Sequence, residues 1–339
     1  MRTFIIGDIH GCFDELIELT EKIGLTDNDM LISVGDIVDR GNKSKEVYEY
    51  FLNRPNSKVL VGNHERKHQN KILSYAQEIV KVQFGAHYDS FLKWLETLDY
   101  YCETEDAIII HAFFEHDKEL KEQKHEVLCG STSGDRYLEK KYAPDTFWSE
   151  YYEGKKPIIY GHHVVGDNPK ILNNTFGIDT GCCHGNYLTA IELPGFKIFQ
   201  VKAKKDYWKE EQKLWQIPVL KAKNWNDMQF SDIDKQLDKL AYIEEPEIVQ
   251  YLSEIRTWKE GLQNSYAAIK LTIDNLSKDL IEKYKDSFSI EANKFSFKTY
   301  LFKSKSNNLL IEDLKRGLNT PNKLMELEKQ LTTISFSVQ

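Results

Sequence analysis

The first half of the sequence contains short apolar runs that are typical of buried β-strands. Five of these runs are rich in β-branched residues and end at a glycine or a polar residue, and they read TFII, MLISV, KVLV, AIII and PIIY. The first three runs are separated by helix-like segments, FDELIELTEKIG and KSKEVYEYFLNR. This order predicts a βαβαβ start with right-handed crossovers, and therefore an α/β fold.

Polar residues of a few chemical types follow all five predicted strands. A single Asp or His after a strand is more typical of a turn or a helix cap than of a ligand. In open α/β sheets the carboxyl ends of the strands share one edge, where ligands bind, so five such positions in succession predict a shared site. The residues concerned are Asp8 and His10, Asp36, Asn63 and His64, His111, and His162 and His163.

The second part of the chain has a different pattern. Residues 245–286 place apolar side chains mostly three and four positions apart, which predicts a long amphipathic helix, broken once. NKFSFKTYLFK (293–303) alternates as a half-buried strand does, and LTTISFSV (331–338) is a second candidate strand. We expect a catalytic domain over residues 1–207 and an α-rich accessory domain over residues 208–339. Support of the catalytic domain, capping of the active site with substrate selection, and formation of a homo-oligomer are the three roles open to the accessory domain.

Composition narrows the class of protein. With 41% apolar and 29% charged residues in 339, the chain has an ordinary globular composition, and it contains no apolar run long enough to span a membrane. A motif begins by residue 7, which leaves no room for a cleavable signal, so we expect a cytoplasmic protein with its five cysteines reduced.

The net charge of −8 is unevenly distributed. Residues 1–203 hold 23 basic and 32 acidic residues, whereas residues 204–339 hold 22 basic and 21 acidic ones. An acidic first part weighs against a broad nucleic-acid interface, which normally needs a basic face. It does not exclude a site in which metal ions supply the positive charge.

The motifs GDIHG, GDIVDRG and GNHE, a single His after a strand, and GHH resemble those of the calcineurin-like metallophosphoesterases, in particular the phosphoprotein phosphatase branch. The resemblance extends over about residues 1–208. It implies a metallophosphoesterase β-sandwich flanked by helices, followed here by a mainly helical C-terminal accessory region. The branch includes protein Ser/Thr phosphatases, symmetrical dinucleoside tetraphosphatases and the phosphatase modules of bacterial RNA-repair enzymes.

The resemblance also implies a role for each motif residue, with two divalent metal ions as cofactors. Asp8 and His10 would bind the first ion, Asp36 would bridge both, and the second would be completed by Asn63, His111 and His162. Two closely spaced dications need such a bridging carboxylate and accept mixed oxygen and nitrogen ligands. Mn²⁺ is the first expectation in vitro, with Fe and Zn as alternatives. The reaction implied is attack on phosphorus by a hydroxide that bridges the two metals.

Three further residues would act on the substrate. His64 would give a proton to the leaving group, since histidine is the side chain best matched to that task near neutral pH. Asp39 would orient His64, and Arg40 would bind two phosphoryl oxygens with its planar fork. Substrate contacts are also expected from Asn63 and from His163, although an ordinary surface histidine is the preferred interpretation of His163.

Departures from the family pattern bear on the choice of substrate. His111 is followed by Phe113 and Phe114 after one alanine, where relatives usually have Ala-Gly, and these rings either narrow the site, stack on a substrate ring or pack on the sheet. The second phosphate-binding arginine that many relatives carry after a Trp is absent from FWSEYYEGKK, and Arg136, Lys155 and Lys156 are weak substitutes.

Several functions are open to such a site. The first expectation is hydrolysis of phosphomonoesters, as by a protein Ser/Thr phosphatase. Hydrolysis of dinucleoside polyphosphates, or removal of phosphate from RNA ends including 2′,3′-cyclic phosphates, is the alternative, so the partner is a phosphoprotein, a nucleotide or an RNA end. A metal-binding regulatory module without catalysis is the alternative from another class. Retention of His64, Asp39 and Arg40 disfavours it, because a structural metal site needs none of them.

Overall fold

The computed structural model describes residues 2–240, 243 and 245–337 and divides the chain into two compact units, residues 1–221 and 222–339. The domain boundary between residues 207 and 208 stays a prediction. No helix within the described residues is long and apolar enough to cross a membrane.

The first unit contains all the strands that the structure describes. They are β1 (Thr3–Ile6), β2 (Met30–Ser33), β3 (Ser57–Val59), β4 (Tyr101–Glu103), β5 (Ile108–Ile110), β6 (Ile158–Tyr160), β7 (Lys170–Leu172), β8 (Thr175–Gly177), β9 (Tyr187–Leu193) and β10 (Lys197–Lys202). Its helices are α1 (Phe13–Lys22), α2 (Ser44–Asn53), α3 (Asn63–Gln69), α4 (Tyr75–Phe84), α5 (Tyr88–Leu95), α6 (His125–Leu128), α7 (Thr132–Leu138), α8 (Tyr207–Leu214) and α9 (Gln216–Ala222). The five strands predicted from sequence are β1, β2, β3, β5 and β6.

The strands form two mixed five-stranded sheets, with the orders β10-β9-β1-β2-β3 and β4-β5-β6-β8-β7. In the first, β1 and β2 are parallel with Thr3 opposite Met30, and β9 runs antiparallel to β1. In the second, β5, β6 and β8 are parallel and the edge strands β4 and β7 are antiparallel. The predicted α/β fold with a β-sandwich flanked by helices is therefore confirmed, and the five ligand-bearing strands are shared between its two sheets.

Successive side chains along a strand point to opposite faces of its sheet, and this places one set between the two sheets and the other set against the helices. Ile5 and Ile32 of the first sheet pack with Ile109 and Ile159 of the second, which forms the core between the sheets. The neighbouring residues on β1, Phe4 and Ile6, point the other way and pack against α1 and α2. A strand buried on both faces reads as a continuous apolar run, and this is why TFII and AIII lack polar alternation.

The carboxyl ends of the central strands of both sheets meet at one edge. The Nδ1 atom of His111, just after β5, lies 3.1 Å from the carbonyl oxygen of Val34, just after β2. Gly161, just after β6, donates its N–H to the carbonyl oxygen of His111 at 2.8 Å. Residues that follow strands of different sheets are thereby brought together.

The regular secondary structure described in the second unit is all helical. Its helices are α10 (Phe230–Lys239), α11 (Pro246–Asn264), α12 (Tyr266–Tyr284), α13 (Phe288–Ala292), α14 (Lys298–Lys305), α15 (Ile311–Gly317) and α16 (Pro321–Ser337). The long helix with one break is confirmed, since α11 and α12 are separated only at Ser265. The two strands predicted at 293–303 and 331–338 are wrong, because 293–297 form turns, α14 begins at Lys298, and α16 covers 331–337.

Candidate metal centre

The backbone around the candidate site is unusual. His10, Asp36, Asp39, Arg40 and His162 all have positive φ angles, at 47°, 50°, 71°, 66° and 74°. Residues other than glycine adopt this left-handed region uncommonly. It turns the chain sharply in the loops that follow β1, β2 and β6.

Glycine is required beside the carboxylates. A Cβ atom on Gly62 would overlap Asp36 Oδ1, and one on Gly161 would overlap Asp8 Oδ1. A side chain at either of these two positions would therefore crowd the site.

Asp36 lies at the centre of the site, and its side chain is almost fully buried. Its Oδ2 atom is 3.5 Å from His10 Nε2 and 4.0 Å from His64 Nε2. Its Oδ1 atom faces the other side, 3.5 Å from His111 Nε2. One carboxylate thus has a group of imidazoles at each oxygen, which is the placement that a bridging ligand needs.

Asn63 and His162 complete the side of the site that contains His111. Asn63 Oδ1 is 3.2 Å from His111 Nε2 and 3.1 Å from His162 Nδ1. Asp8 is held close by, since the backbone N–H of His162 donates to both of its carboxylate oxygens at 3.1 Å. The six residues predicted as metal ligands from sequence are therefore gathered in one place, and their individual roles stay predictions.

The histidines present lone pairs to the centre. His10 Nδ1 lies 2.8 Å from the carbonyl oxygen of Val38, and a carbonyl can only accept, so Nδ1 carries the proton and Nε2 is free to bind a metal. The same holds for His111, whose Nδ1 donates to Val34. Burial lowers the pKa of His10, His111 and His162, which favours the neutral form that a metal ligand needs.

The acidic residues are crowded without a matching number of cations. Burial raises the pKa of Asp8 well above its ordinary value, and the charges of Asp179 and Asp36 raise it further. Burial also raises the pKa of Asp179 to about 6. Buried carboxylates and imidazole lone pairs that face one another are stabilised by bound cations, and this mixture of oxygen and nitrogen donors suits divalent ions. The residues present therefore fit the metal pair that the sequence predicts.

A buried acidic residue binds the ring nitrogen of His64 that faces away from the centre. Its Nδ1 atom lies 2.6 Å from Asp39 Oδ2, and the Asp39 side chain is fully buried. Asp39 accepts further hydrogen bonds from His68 Nε2, at 3.0 Å, and from Gln77 Nε2. The imidazole of His64 is consequently fixed with its Nε2 atom toward the centre.

The guanidinium of Arg40 lies between the imidazoles of His10 and His64. Its guanidinium nitrogens lie 3.0 Å from His10 Nε2 and 3.0 Å from His64 Nε2. The guanidinium is thus at the open face of the centre, within reach of a phosphoryl group bound there. His163, by contrast, is an exposed side chain whose ring lies against Phe113, 5.5 Å between centroids.

The two phenylalanines after His111 have different surroundings. The Phe113 ring lies 5.2 Å from the ring of His162 and so contacts the centre directly. Phe114 is buried against Trp148 and Tyr152 in the outer core. Packing on the sheet therefore explains Phe114, whereas Phe113 lies at the rim of the site.

The sequence-based assignment missed four residues that shape the site. Glu65 accepts hydrogen bonds from the backbone N–H groups of Asp36, Ile37 and Gly62 and fixes the loop after β2 against the start of α3. The others are Asp179, which is buried beside Asp8, and His68 and Gln77, which bind Asp39. A signal for Asp179 is present in GIDTG, where an Asp follows an apolar strand as it does in the other motifs.

Comparisons with known proteins agree with this geometry. The sequence profile of the calcineurin-like phosphoesterases matches residues 1–173. The chain is 32% identical over 235 residues to an asymmetrical bis(5′-nucleosyl)-tetraphosphatase, PrpE, of Bacillus velezensis, which covers 60% of this chain and 93% of the relative. The protein of the same description from Anoxybacillus flavithermus is 32% identical over 241 residues, with 61% and 96% covered. The solved structure of a proposed diadenosine tetraphosphatase aligns with a TM-score of 0.49 at 21% identity, covering 60% of this chain and 93% of that one.

Proposed function

The chain belongs to the calcineurin-like phosphoesterase family and is a hydrolase of phosphate esters, and on that premise we propose that it cleaves dinucleoside polyphosphates at the centre around Asp36. The observation that carries the choice of substrate is the similarity to bis(5′-nucleosyl)-tetraphosphatases over more than nine-tenths of their length. The alternative without catalysis, a regulatory metal-binding module, is not retained.

The family uses divalent metals, and the residues around Asp36 would hold two of them. In our proposal Asp8, His10 and Asp36 would hold the first ion, and Asp36 would also contribute to the second, together with Asn63, His111 and His162. Bound dications would supply a nucleophile at neutral pH and would offset the negative charge of the phosphoryl oxygens. We propose Mn²⁺ as the ion that supports activity in vitro, with Fe and Zn as alternatives.

The chain's own residues act on the substrate and the leaving group. Arg40 carries a fork of N–H donors that binds two phosphoryl oxygens at once, as a lysine cannot. Asn63 is the second proposed contact to the phosphoryl group. His64 gives a proton from Nε2 to the departing oxygen, while Asp39 holds Nδ1–H and stabilises the charged ring before the transfer.

A second candidate is hydrolysis of phosphomonoesters such as phosphoserine in proteins. The arrangement of Asp39 and His64 favours it, because an alkoxide leaves poorly unless it is protonated, whereas the phosphate that leaves a polyphosphate needs less help. Removal of phosphate from RNA ends is less well supported, since the first part of the chain is acidic. A cytoplasmic location and a homo-oligomer formed through residues 208–339 stay predictions.

A panel of substrates separates the candidates. The full-length chain is stripped of metal, reloaded with Mn²⁺, Fe²⁺ or Zn²⁺, and given diadenosine tetraphosphate, a phosphoserine peptide, and RNA with a 3′- or a 2′,3′-cyclic phosphate. We expect kcat/KM to be highest for the tetraphosphate and each activity to need a dication. A phosphopeptide turned over more efficiently than the tetraphosphate would make the phosphomonoesterase assignment the correct one.

A further inference from the structure

A cavity of about 330 Å³ lies beside the candidate metal centre in the first unit. Its walls come from Phe113, from ten residues between positions 135 and 148, and from His163. Cavities of roughly 300–1,000 Å³ are the usual size of small-molecule sites in proteins. This one is at the lower limit of that range, so it suits one compact group rather than a segment of protein.

The cavity borders the centre at Phe113. The ring of Phe113 forms part of the cavity wall and lies 5.2 Å from the ring of His162, a proposed metal ligand. His163, the next residue, contributes to the same wall. A group in the cavity can therefore belong to a molecule whose phosphate lies over the metal ligands.

The wall nearest the centre is aromatic. Phe147 lines the cavity, and its ring lies 5.9 Å from that of Phe113 and 5.8 Å from that of His163. Phe147 and His163 are both incompletely buried, so parts of their rings are accessible. Accessible aromatic faces bind planar rings by stacking, and every nucleobase has such a face.

The charged side chains that line the cavity are acidic. Asp135, Glu139 and Asp145 line the cavity, and none of its described lining residues is Lys or Arg. Lys170 lies 5.7 Å from the Phe147 ring but outside the lining. Carboxylates repel phosphate but accept hydrogen bonds from an amino group, so this wall places the phosphate chain outside the cavity and favours a base with an exocyclic amine.

We propose that this cavity binds one nucleobase of the substrate, with a preference for a base that carries an exocyclic amine, while the phosphate chain extends to the centre around Asp36. The inference rests on the proposed function, since it gives a place to the nucleoside of a dinucleoside polyphosphate. It also assigns a role to Phe113, a departure from the family pattern, and to His163.

The test measures binding of a nucleoside that has no phosphate. Equilibrium dialysis of the full-length protein with radiolabelled adenosine is compared with inosine, in which a carbonyl replaces the exocyclic amine. We expect adenosine to bind more tightly than inosine. Replacing Phe147 by Leu keeps an apolar side chain but removes the stacking face, and should weaken adenosine binding by roughly five-fold or more.

Two further variants give the test its controls. The triple variant Asp135→Asn, Glu139→Gln and Asp145→Asn keeps the shapes of the side chains and should abolish the preference for adenosine over inosine. Phe295→Leu makes the same change at a half-buried ring of the second unit, outside the cavity, and should leave the dissociation constant for adenosine unchanged.

The outcomes separate this inference from the proposed function. Hydrolysis of diadenosine tetraphosphate with no measurable adenosine binding, or with binding that Phe147→Leu leaves unchanged, overturns the nucleobase site and leaves the proposed function standing. Adenosine binding that responds to the variants as expected, without hydrolysis of the tetraphosphate, supports the site and overturns the proposed reaction. Binding of a lysine-rich peptide in place of adenosine would reassign the acidic wall to a protein substrate and reject the proposal.

Discussion

Replacing His64 by Asn tests whether this residue is the proton donor. The structure predicts an intact fold, because Asp39 loses one partner but keeps its hydrogen bonds from His68 and Gln77. The Asn side chain has about the length to reach Asp39, but it cannot give a proton to the leaving group. The variant therefore isolates the loss of general-acid assistance.

The size of the effect depends on the leaving group. General-acid assistance is worth about 10²–10⁴-fold, or about 2.7–5.5 kcal/mol of activation free energy. A phosphoserine peptide, which releases an alkoxide, should lose kcat within that range. p-Nitrophenyl phosphate releases a stable phenolate and should lose about ten-fold or less, with diadenosine tetraphosphate in between. The 2.6 Å contact between Asp39 and Nδ1 holds the ring in one orientation, as a positioned proton donor requires.

The assay is steady-state turnover of the three substrates, with metal content determined on the same samples. His87→Asn is the matched control, since His87 is exposed, and it should leave all three rates unchanged. An equal loss on every substrate, at unchanged metal content, would mean that His64 binds metal or phosphate and that the acid is another residue.

Three other changes test the centre itself. Asp36→Asn should lower the bound metal from two ions to one or none and reduce kcat at least about 100-fold, because a shared ligand is lost; metal analysis showing two ions at full activity would contradict this. Gly161→Ala should lower the metal content in the same way but less, since the added methyl group displaces the carboxylate of Asp8. Gly195→Ala is the control and should leave the metal content unchanged, because no atom lies near the added methyl group. Burial lowers the pKa of His10, His111 and His162 in the folded state. In the metal-free protein, the melting temperature should therefore fall as the pH drops below about 6.5, because these imidazoles take up protons in the unfolded chain but not in the folded one. A melting temperature that stays constant between pH 7 and 5 would show that the three side chains become charged within the folded protein.

The sequence was sufficient to predict the centre because its residues occupy a repeated position. Each ligand follows an apolar run, and any arrangement of these strands with a common carboxyl edge brings the ligands together. The pattern could not show that β3 and β5 belong to different sheets, since strands buried on both faces look alike in sequence. It also missed His68 and Gln77, which lie on helices and bind Asp39 rather than the metals.

The wrong strands in the second unit have a physical explanation. In 293–303 the apolar residues Phe295, Phe297 and Leu301 fit alternation. The buried residues are Phe297 and Leu301, together with Ser304 just beyond the segment, and they are spaced four and three apart as on one face of a helix. A short run satisfies both periods, and packing against α12 selects the helix. The segment 245–286 was predicted correctly because its helical spacing of apolar residues continues over many turns. The segment 293–303 is too short for its spacing to distinguish a helix from a strand.

The left-handed residues around the centre have a consequence for how such an enzyme changes under selection. Each non-glycine residue held in that region costs of order 1–3 kcal/mol, and five of them surround this site. Glycine would relieve the cost at Arg40 or Asp39, so a population screened for heat resistance alone should accumulate substitutions at the positions that carry the chemistry. Selection for thermostability alone would then favour variants that have lost catalytic residues. Each round of selection must therefore also require activity, so that the strained residues are retained.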